Sequence, residues 1–515
     1  MQVERKTMFQ GISRRSLIKN MGLLAGSALF SNGLYSMDKT PSKGGVLRAA
    51  FTGSNSGPAN MLTATHTPLG YVRARLLWDT LADTQNGKIE YRLMESAEPD
   101  SSAMRWTLKI RSGITFSDGR TLSARDVLYS LRQLANTPGA QSGWLAPLDV
   151  SASRVQDAQT LTLQLKQPVG AFDWRLAQGM MVFPEDSKSG RQAPGSGAWI
   201  LGEQNSTVTK LLPRHDYWDA ASGPWLDRIE LYAVDDMNAR MNGLKAGQFN
   251  YVAEIGLVNA HSEQRNSQVQ VLVAPEDEWR CLAFSMNLSA EPFNHPEVVE
   301  ALKLAINREE MARILGFGFG QSANDALGTG QYWYAPDLPK RHYDPEKAKG
   351  LLQKAGIVPR TSIRTSNFTW GFAESATLLL RQSVSAGFSL TVNKLPVADF
   401  YSDIAELINA PLKTSTFPAM PLPVVLPFYY GSNAPYSFTG PASPQLDVLM
   451  QVLQAARGDA MTQAIHDVQH YLYQHGGDAI FARLPSVALA TKDVRGIRSG
   501  GAFEYPLLRG AWLES

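Results

Sequence analysis

Trp106, Leu108 and Ile110 alternate with Thr107, Lys109 and Arg111, and this short beat constrains the fold more than any other feature of the chain. Period two places one face in a core and the other in water, which is a half-buried strand. Ser112-Gly113 interrupts it, residues 114–116 resume it, and Asp118-Gly119 marks a tight turn. Ser123, three residues before Asp126, then opens a helix carrying Val127, Leu128 and Leu131. Local physics therefore predicts strand, turn and helix in succession.

The same reasoning extends along the chain. Residues 44–51 read as an opening strand, and 71–79 as a helix with Val72, Leu76 and Leu77 on one face. Leu161, Leu163 and Leu165 alternate as a further strand. Gly247 stops a helix begun near Asp235 or Asp236, and Gly356 stops one opened by Asp344-Pro345. Asn294-His295-Pro296 opens another helix, and Asn307 with Glu310 reads as the cap of the next. Strands and helices mixed without tandem repeats predict an α/β protein. With 515 residues, 44% of them hydrophobic, the chain can bury large cores and is expected to divide into lobes.

The run Ile110-Arg111-Ser112-Gly113-Ile114-Thr115-Phe116-Ser117-Asp118-Gly119, followed by Ser123-Ala124-Arg125-Asp126-Val127, resembles the signature of the family 5 solute-binding proteins of ABC importers, the oligopeptide, dipeptide and nickel binders. That family carries Leu-Arg-x-Gly-Val-x-Phe-x-Asp-Gly and then Thr-Ala-x-Asp-Val. Gly44-Gly45-Val46-Leu47, Asp216-Tyr217-Trp218, Pro224-Trp225-Leu226-Asp227-Arg228-Ile229, residues 244–250, and Phe284 to Asn287 with Pro292-Phe293 extend the likeness over most of 44–500. Gly195-Ser196-Gly197-Ala198-Trp199 stands where the family has Gly-Thr-Gly-Pro-Tyr; by itself it reads as a plain turn.

The resemblance implies a two-lobed periplasmic binding protein fold, with hinged lobes, two crossovers and an extra domain in the first lobe. The expected division is a signal peptide over 1–36, lobe one over 37–60, 190–275 and 490–515, the extra domain over 61–189, and lobe two over 276–489. It also implies capture of short peptides between closing lobes and delivery to an ABC permease in the inner membrane. The protein is expected to act as a monomer without a cofactor.

Ser13-Arg14-Arg15-Ser16-Leu17-Ile18-Lys19 resembles the twin-arginine export motif. The apolar stretch at 21–30 is far shorter than the ~20 residues a membrane span needs. A cleaved signal is favoured over an anchor or a basic arm because a polar, glycine-containing stretch follows directly. The sole cysteine, Cys281, is remote from the leader, which argues against a lipid on a mature N-terminal cysteine and excludes an internal disulfide. A periplasmic protein exported by the twin-arginine route is expected. In the leader five basic residues outweigh Glu4, so the formal charge of +2 becomes about −2 beyond it. That balance excludes the basic footprint of a nucleic-acid binder.

Enzyme motifs are missing. No serine has glycines at both i−2 and i+2, and neither His-Glu-x-x-His nor a phosphate loop occurs. Cys281 reads as a buried, inert thiol in a strand. His466 and His470 share a helical face, with His475 beyond; a solvated stripe is favoured there over a metal site. An exported cofactor enzyme and a sensor subunit are the readings from outside transport.

In peptide-binding members of the family a second-lobe carboxylate in a Trp-x-x-Asp stretch pairs with the ligand's α-amine. The corresponding stretch here is Phe417-Pro418-Ala419-Met420-Pro421, and no acid occurs in 413–430. Five prolines over 411–427 predict an irregular, stiff segment. Either another acid, with Asp399, Asp403 and Glu406 nearest in sequence, takes the amine, or the solute is not a peptide but an opine-like conjugate, a sugar derivative or a metal chelate. Trp279 and Arg280 precede the family's Phe-Asn strand, where cleft residues commonly sit; Arg280 suits a carboxylate or phosphate, with a plain surface arginine as the equal alternative. Tyr71, Trp199, Trp370 and Phe417 complete the candidate site as aromatic walls, with core packing as their alternative role. Phe428-Tyr429-Tyr430 fits core and ligand platform equally.

Overall fold

A computed structural model describes residues 40–57, 59–64, 67–187, 193–500 and 502–514. The twin-arginine motif and the apolar stretch after it lie outside the described residues. Among the described residues no helix is long and apolar enough to cross a membrane.

The alternating segment forms the strand Arg105–Ile110, whose Trp106, Leu108 and Ile110 are buried while their neighbours face solvent. It lies in a four-stranded antiparallel sheet between Met94–Pro99 and Thr160–Leu165, with Leu148–Val155 outermost. The Trp106 indole donates to the Val169 carbonyl at 3.1 Å, pinning the sheet to the loop below. Ser123 begins the helix Ala124–Asn136 as expected: its backbone N–H and hydroxyl both donate to Asp126 Oδ2 at 2.8 Å.

Two larger sheets carry the lobes. The first runs Val269–Val273, Val487–Thr491, Tyr251–Ala253, Val46–Phe51, Arg228–Ala233, Val208–Pro213, Trp199–Gln204. Val46–Phe51 is its centre, parallel to both neighbours, so three carbonyl ends emerge on one edge. The second runs Gln321–Ser322, Asp478–Leu484, Arg280–Met286, Leu412–Phe417, Arg360–Ser366, Ser389–Leu395. Val487–Thr491 straddles the boundary expected at 489/490 and pairs wholly within the first sheet, so the chain has returned there by Val487.

The proline-rich segment differs from its expected irregularity. Leu412–Phe417 is an interior strand, because its prolines, Pro411 and Pro418, flank it and every ladder N–H is kept. Leu422–Tyr429 is a helix: Pro423 sits in the first turn, where N–H groups are unused, and Pro427 comes only near the end. Phe428-Tyr429-Tyr430 closes that helix. Tyr429 and Tyr430 are core, and the Tyr430 hydroxyl donates to buried Asp478 at 2.7 Å.

Gly195 and Gly197 do more than turn the chain. A Cβ on Gly195 would stand 1.8 Å from the Leu77 carbonyl oxygen, and one on Gly197 2.4 Å from that of Leu76. The loop thus closes against the C-terminal end of the helix Pro68–Leu77, where Gly197 N–H donates to Leu77 O at 2.9 Å. Only a residue without a side chain permits that approach.

Candidate functional site

Two short segments join the lobe sheets and lie side by side. One follows Val269–Val273 and ends at Trp279; the other is Pro485-Ser486. They are hydrogen-bonded to each other, Ala274 N–H to Ser486 O at 3.0 Å, and the Trp279 indole donates to Ala274 O at 2.9 Å. The Arg483 guanidinium covers the Trp279 ring at 5.4 Å. Arg498 pairs with Glu278 at the same place. Two parallel connections cross-braced in this way form a hinge.

Beside the hinge a cavity of about 260 Å³ opens between the sheets. Tyr251, Ala253 and Glu254 approach it from the carbonyl edge of the first sheet, the usual place for ligands in open α/β sheets. Arg280, Thr369 and Trp370 approach it from the second lobe. The return segment supplies a further wall with Phe503, Glu504 and Tyr505. Seven non-glycine residues among those described have positive φ, and three line this cavity: Glu254 (55°), Phe503 (65°) and Glu504 (62°). Such backbone costs on the order of 1–3 kcal/mol per residue and concentrates at ligand clamps.

Buried Arg240 supports this edge. It donates to the carbonyls of Val234, Asp235, Ala253 and Glu254 and to the Thr52 hydroxyl, gathering the ends of the three parallel strands. Burial lowers its pKa, while Glu254, Asp235 and Asp236 oppose the shift.

The six candidate residues occupy different depths. Arg280 and Trp370 line the cavity; Arg280 is ion-paired with Glu504 across the lobes, and the Trp370 indole donates to Leu315 O at 2.9 Å. Tyr71 is fully buried one layer behind, its ring 5.2 Å from Phe503 and 5.5 Å from Tyr505. Its hydroxyl accepts from Arg75 at 3.1 Å, and burial raises its pKa. Trp279 belongs to the hinge and borders a separate crevice of about 10 Å³ with Pro418, Ala419 and Met420. Trp199 and Phe417 do not reach the cavity: Trp199 is buried in the first lobe's edge strand, and Phe417 packs edge-on against Tyr429 at 4.8 Å. Glu254, Glu504, Phe503 and Tyr505 were not among the candidates. The glycine-flanked end of a parallel strand at 251–256 is the signal that points to Glu254.

The remaining acids and nucleophiles lie elsewhere. Asp403 accepts from Glu406 N–H as a helix cap, and Glu406 pairs with Arg364 at 2.6 Å. Burial pushes the Cys281 thiol up to about 11, which removes its nucleophilic form. His470 contacts its own helix at His466 O and Asp337 at 3.0 Å.

The far rim of the cleft is also shut. Trp174 meets Trp333 edge-to-face at 4.6 Å, Gly170 N–H donates to Gln454 O at 2.7 Å, and Arg457 donates to the carbonyls of Asp100 and Ser101. Two hinged lobes closed over a cavity lined from both sides define a two-lobed binding protein.

Residues 88–412 match the family described as bacterial extracellular solute-binding proteins, family 5, middle. The chain belongs to that family. The glutathione-binding protein GsiB of Escherichia coli O6:K15:H31 is 28% identical over 277 residues, 52% of this chain and 53% of that protein. The chain therefore aligns with about half the length of the curated relatives it matches. Among solved structures, the periplasmic binding protein DppA of Helicobacter pylori, in complex with the peptide STSA, has a TM-score of 0.70 at 19% identity. That match covers 92% of this chain and 99% of DppA. NikZ of Campylobacter jejuni, in complex with Ni(L-His), gives 0.72 at 16% identity over 89% and 97%. The fold is thus shared by binders of different solutes.

Proposed function

We propose that this protein is the periplasmic solute-binding subunit of an ABC importer, capturing short peptides between its lobes and delivering them to an inner-membrane permease. The observation that carries the reading is the cavity at the braced hinge, lined by side chains of both lobes. A solute there contacts both lobes only in the shut form, so binding shifts the open–closed equilibrium that a permease can read. At about 260 Å³ the shut cavity lies just under the roughly 300 Å³ at which small-molecule pockets begin, which places the solute at the small end of the class. Glutathione and peptides are named for the relatives above, which supports that class. Export by the twin-arginine route belongs to the same proposal and rests on residues 13–19.

Arg280 is the group for the solute's carboxylate: its side chain is one-third exposed and can contact a ligand while keeping Glu504. After removal of endogenous solute, the protein is expected to bind members of a di- to tetrapeptide mixture. Arg280→Ala should weaken that binding about tenfold or more, ~1.4 kcal/mol, with little change in melting temperature. Unaltered affinity in calorimetric titration removes Arg280 from the site.

A non-peptide solute is the second reading. The absence of any acid in 413–430 favours it, and binding of such a compound with no peptide bound would establish it.

A further inference from the structure

The cavity has two acids and one guanidinium, and the three are not equivalent. Glu504 is held by Arg280. Glu254 is exposed toward the cleft, and among the described residues no hydrogen bond or ion pair reaches its carboxylate. Arg240, the cation beneath it, spends its donors on carbonyls and a hydroxyl, including the backbone oxygen of Glu254 itself. Those bonds hold Glu254 in the left-handed conformation at φ 55°. The backbone is therefore held at the cavity's edge, and the carboxylate it carries has no bonded partner among the described residues.

We propose that the Glu254 carboxylate receives a primary ammonium group of the solute, so that amine recognition is built on the first lobe instead of the second. The proposal rests on the peptide reading above and names which end of the peptide goes where. An ammonium enclosed in a shut cavity needs a charged acceptor, because desolvating it unpaired is prohibitive. The second-lobe stretch that faces Trp279 offers none, and Asp399, Asp403 and Glu406 do not line the cavity. Arg280 and Glu504 offset each other, so the uncompensated charge at the cavity is that of Glu254, which suits a cationic group beside it. Tyr505 adjoins Glu254, and its pKa is pushed up to about 12, by burial first and then by Glu254 and Glu504, so it stays a neutral donor and wall beside the pair.

The test uses full-length protein stripped of solute by unfolding and refolding, and a defined mixture of di- and tripeptides in two forms, free and N-acetylated. Retention of each form is weighed by native mass spectrometry, with melting temperature measured in parallel. Wild type is expected to retain the free-amine set about tenfold or more over the acetylated set. Glu254→Gln should lose that preference at an unchanged melting temperature. Glu254→Asn, whose short amide suits left-handed backbone, is the second variant and should behave alike. A preference that survives both substitutions, or wild type that ignores acetylation, overturns the assignment. Wild type that retains neither peptide set overturns the peptide reading itself, a result distinct from a peptide binder indifferent to its amine.

Discussion

Asp83→Ala is expected to lower unfolding free energy by about 3–5 kcal/mol, the usual cost of orphaning one partner of a buried ion pair. Arg75 donates to both oxygens of Asp83, at 2.8 and 2.9 Å, and both side chains are about 5% exposed. Thr80 adds a hydroxyl bond at 2.9 Å, and Arg509 lies 3.8 Å away. Without the carboxylate, Arg75 keeps only the Tyr71 hydroxyl, and Tyr71 is the ring that backs Phe503 and Tyr505 in the cavity wall. Burial alone would push the Asp83 carboxyl up; Arg75, then Arg509 and Arg92, hold it below the usual carboxylate range. Its stabilisation is therefore full above the unfolded value near ~3.9 and is lost as pH falls through the lower folded value. Urea unfolding at pH 7 and along an acid series checks both points. Wild-type stability in the variant, or an acid limb identical to that of wild type, would show that the pair carries no net weight.

Gly170→Ala is expected to weaken solute binding about tenfold or more, while leaving the melting temperature of the solute-free protein alone. A Cβ on Gly170 would lie 2.0 Å from Ala456 O; the backbone sets the position of the one and contains the other, so neither can swing aside. Gly170 follows the four-stranded sheet, whereas Ala456 ends the helix Pro444–Ala455 of the second lobe. The clash is therefore expected to act against the shut form and to depopulate it. Small-angle scattering with saturating peptide should show a larger radius of gyration than wild type. Equal affinity and equal compaction would mean that rim contact at Gly170 is not part of closure.

What could be read from the chain divides along a physical line. Arg105–Ile110 and the helix begun at Ser123 were legible because period and capping are local; residues 114–116, expected to resume the strand, form none and keep only an isolated bridge from Thr115 to Thr121. The caps at Asp236, Asn307 and Asp344 were legible for the same reason. Phe417 and Trp199 were chosen as large aromatics near expected cleft positions, but long-range pairing decides which face a ring occupies, and both lie in cores. Arg280 was visible through its place before the crossing strand. Glu254 and Glu504 were not, because their contribution depends on left-handed backbone and on Arg240 gathering strands that are distant in sequence. The proline count over 411–427 misled because position, not number, determines what proline breaks.

Native mass spectrometry of the exported protein, gently purified with whatever it carries, would identify the solute held between the lobes. A peptide binder should show a non-covalent cargo appearing as a ladder of masses spaced by amino-acid residues and lost on mild unfolding. A single discrete mass not composed of amino-acid residues, or protein that never carries cargo, would contradict the peptide reading.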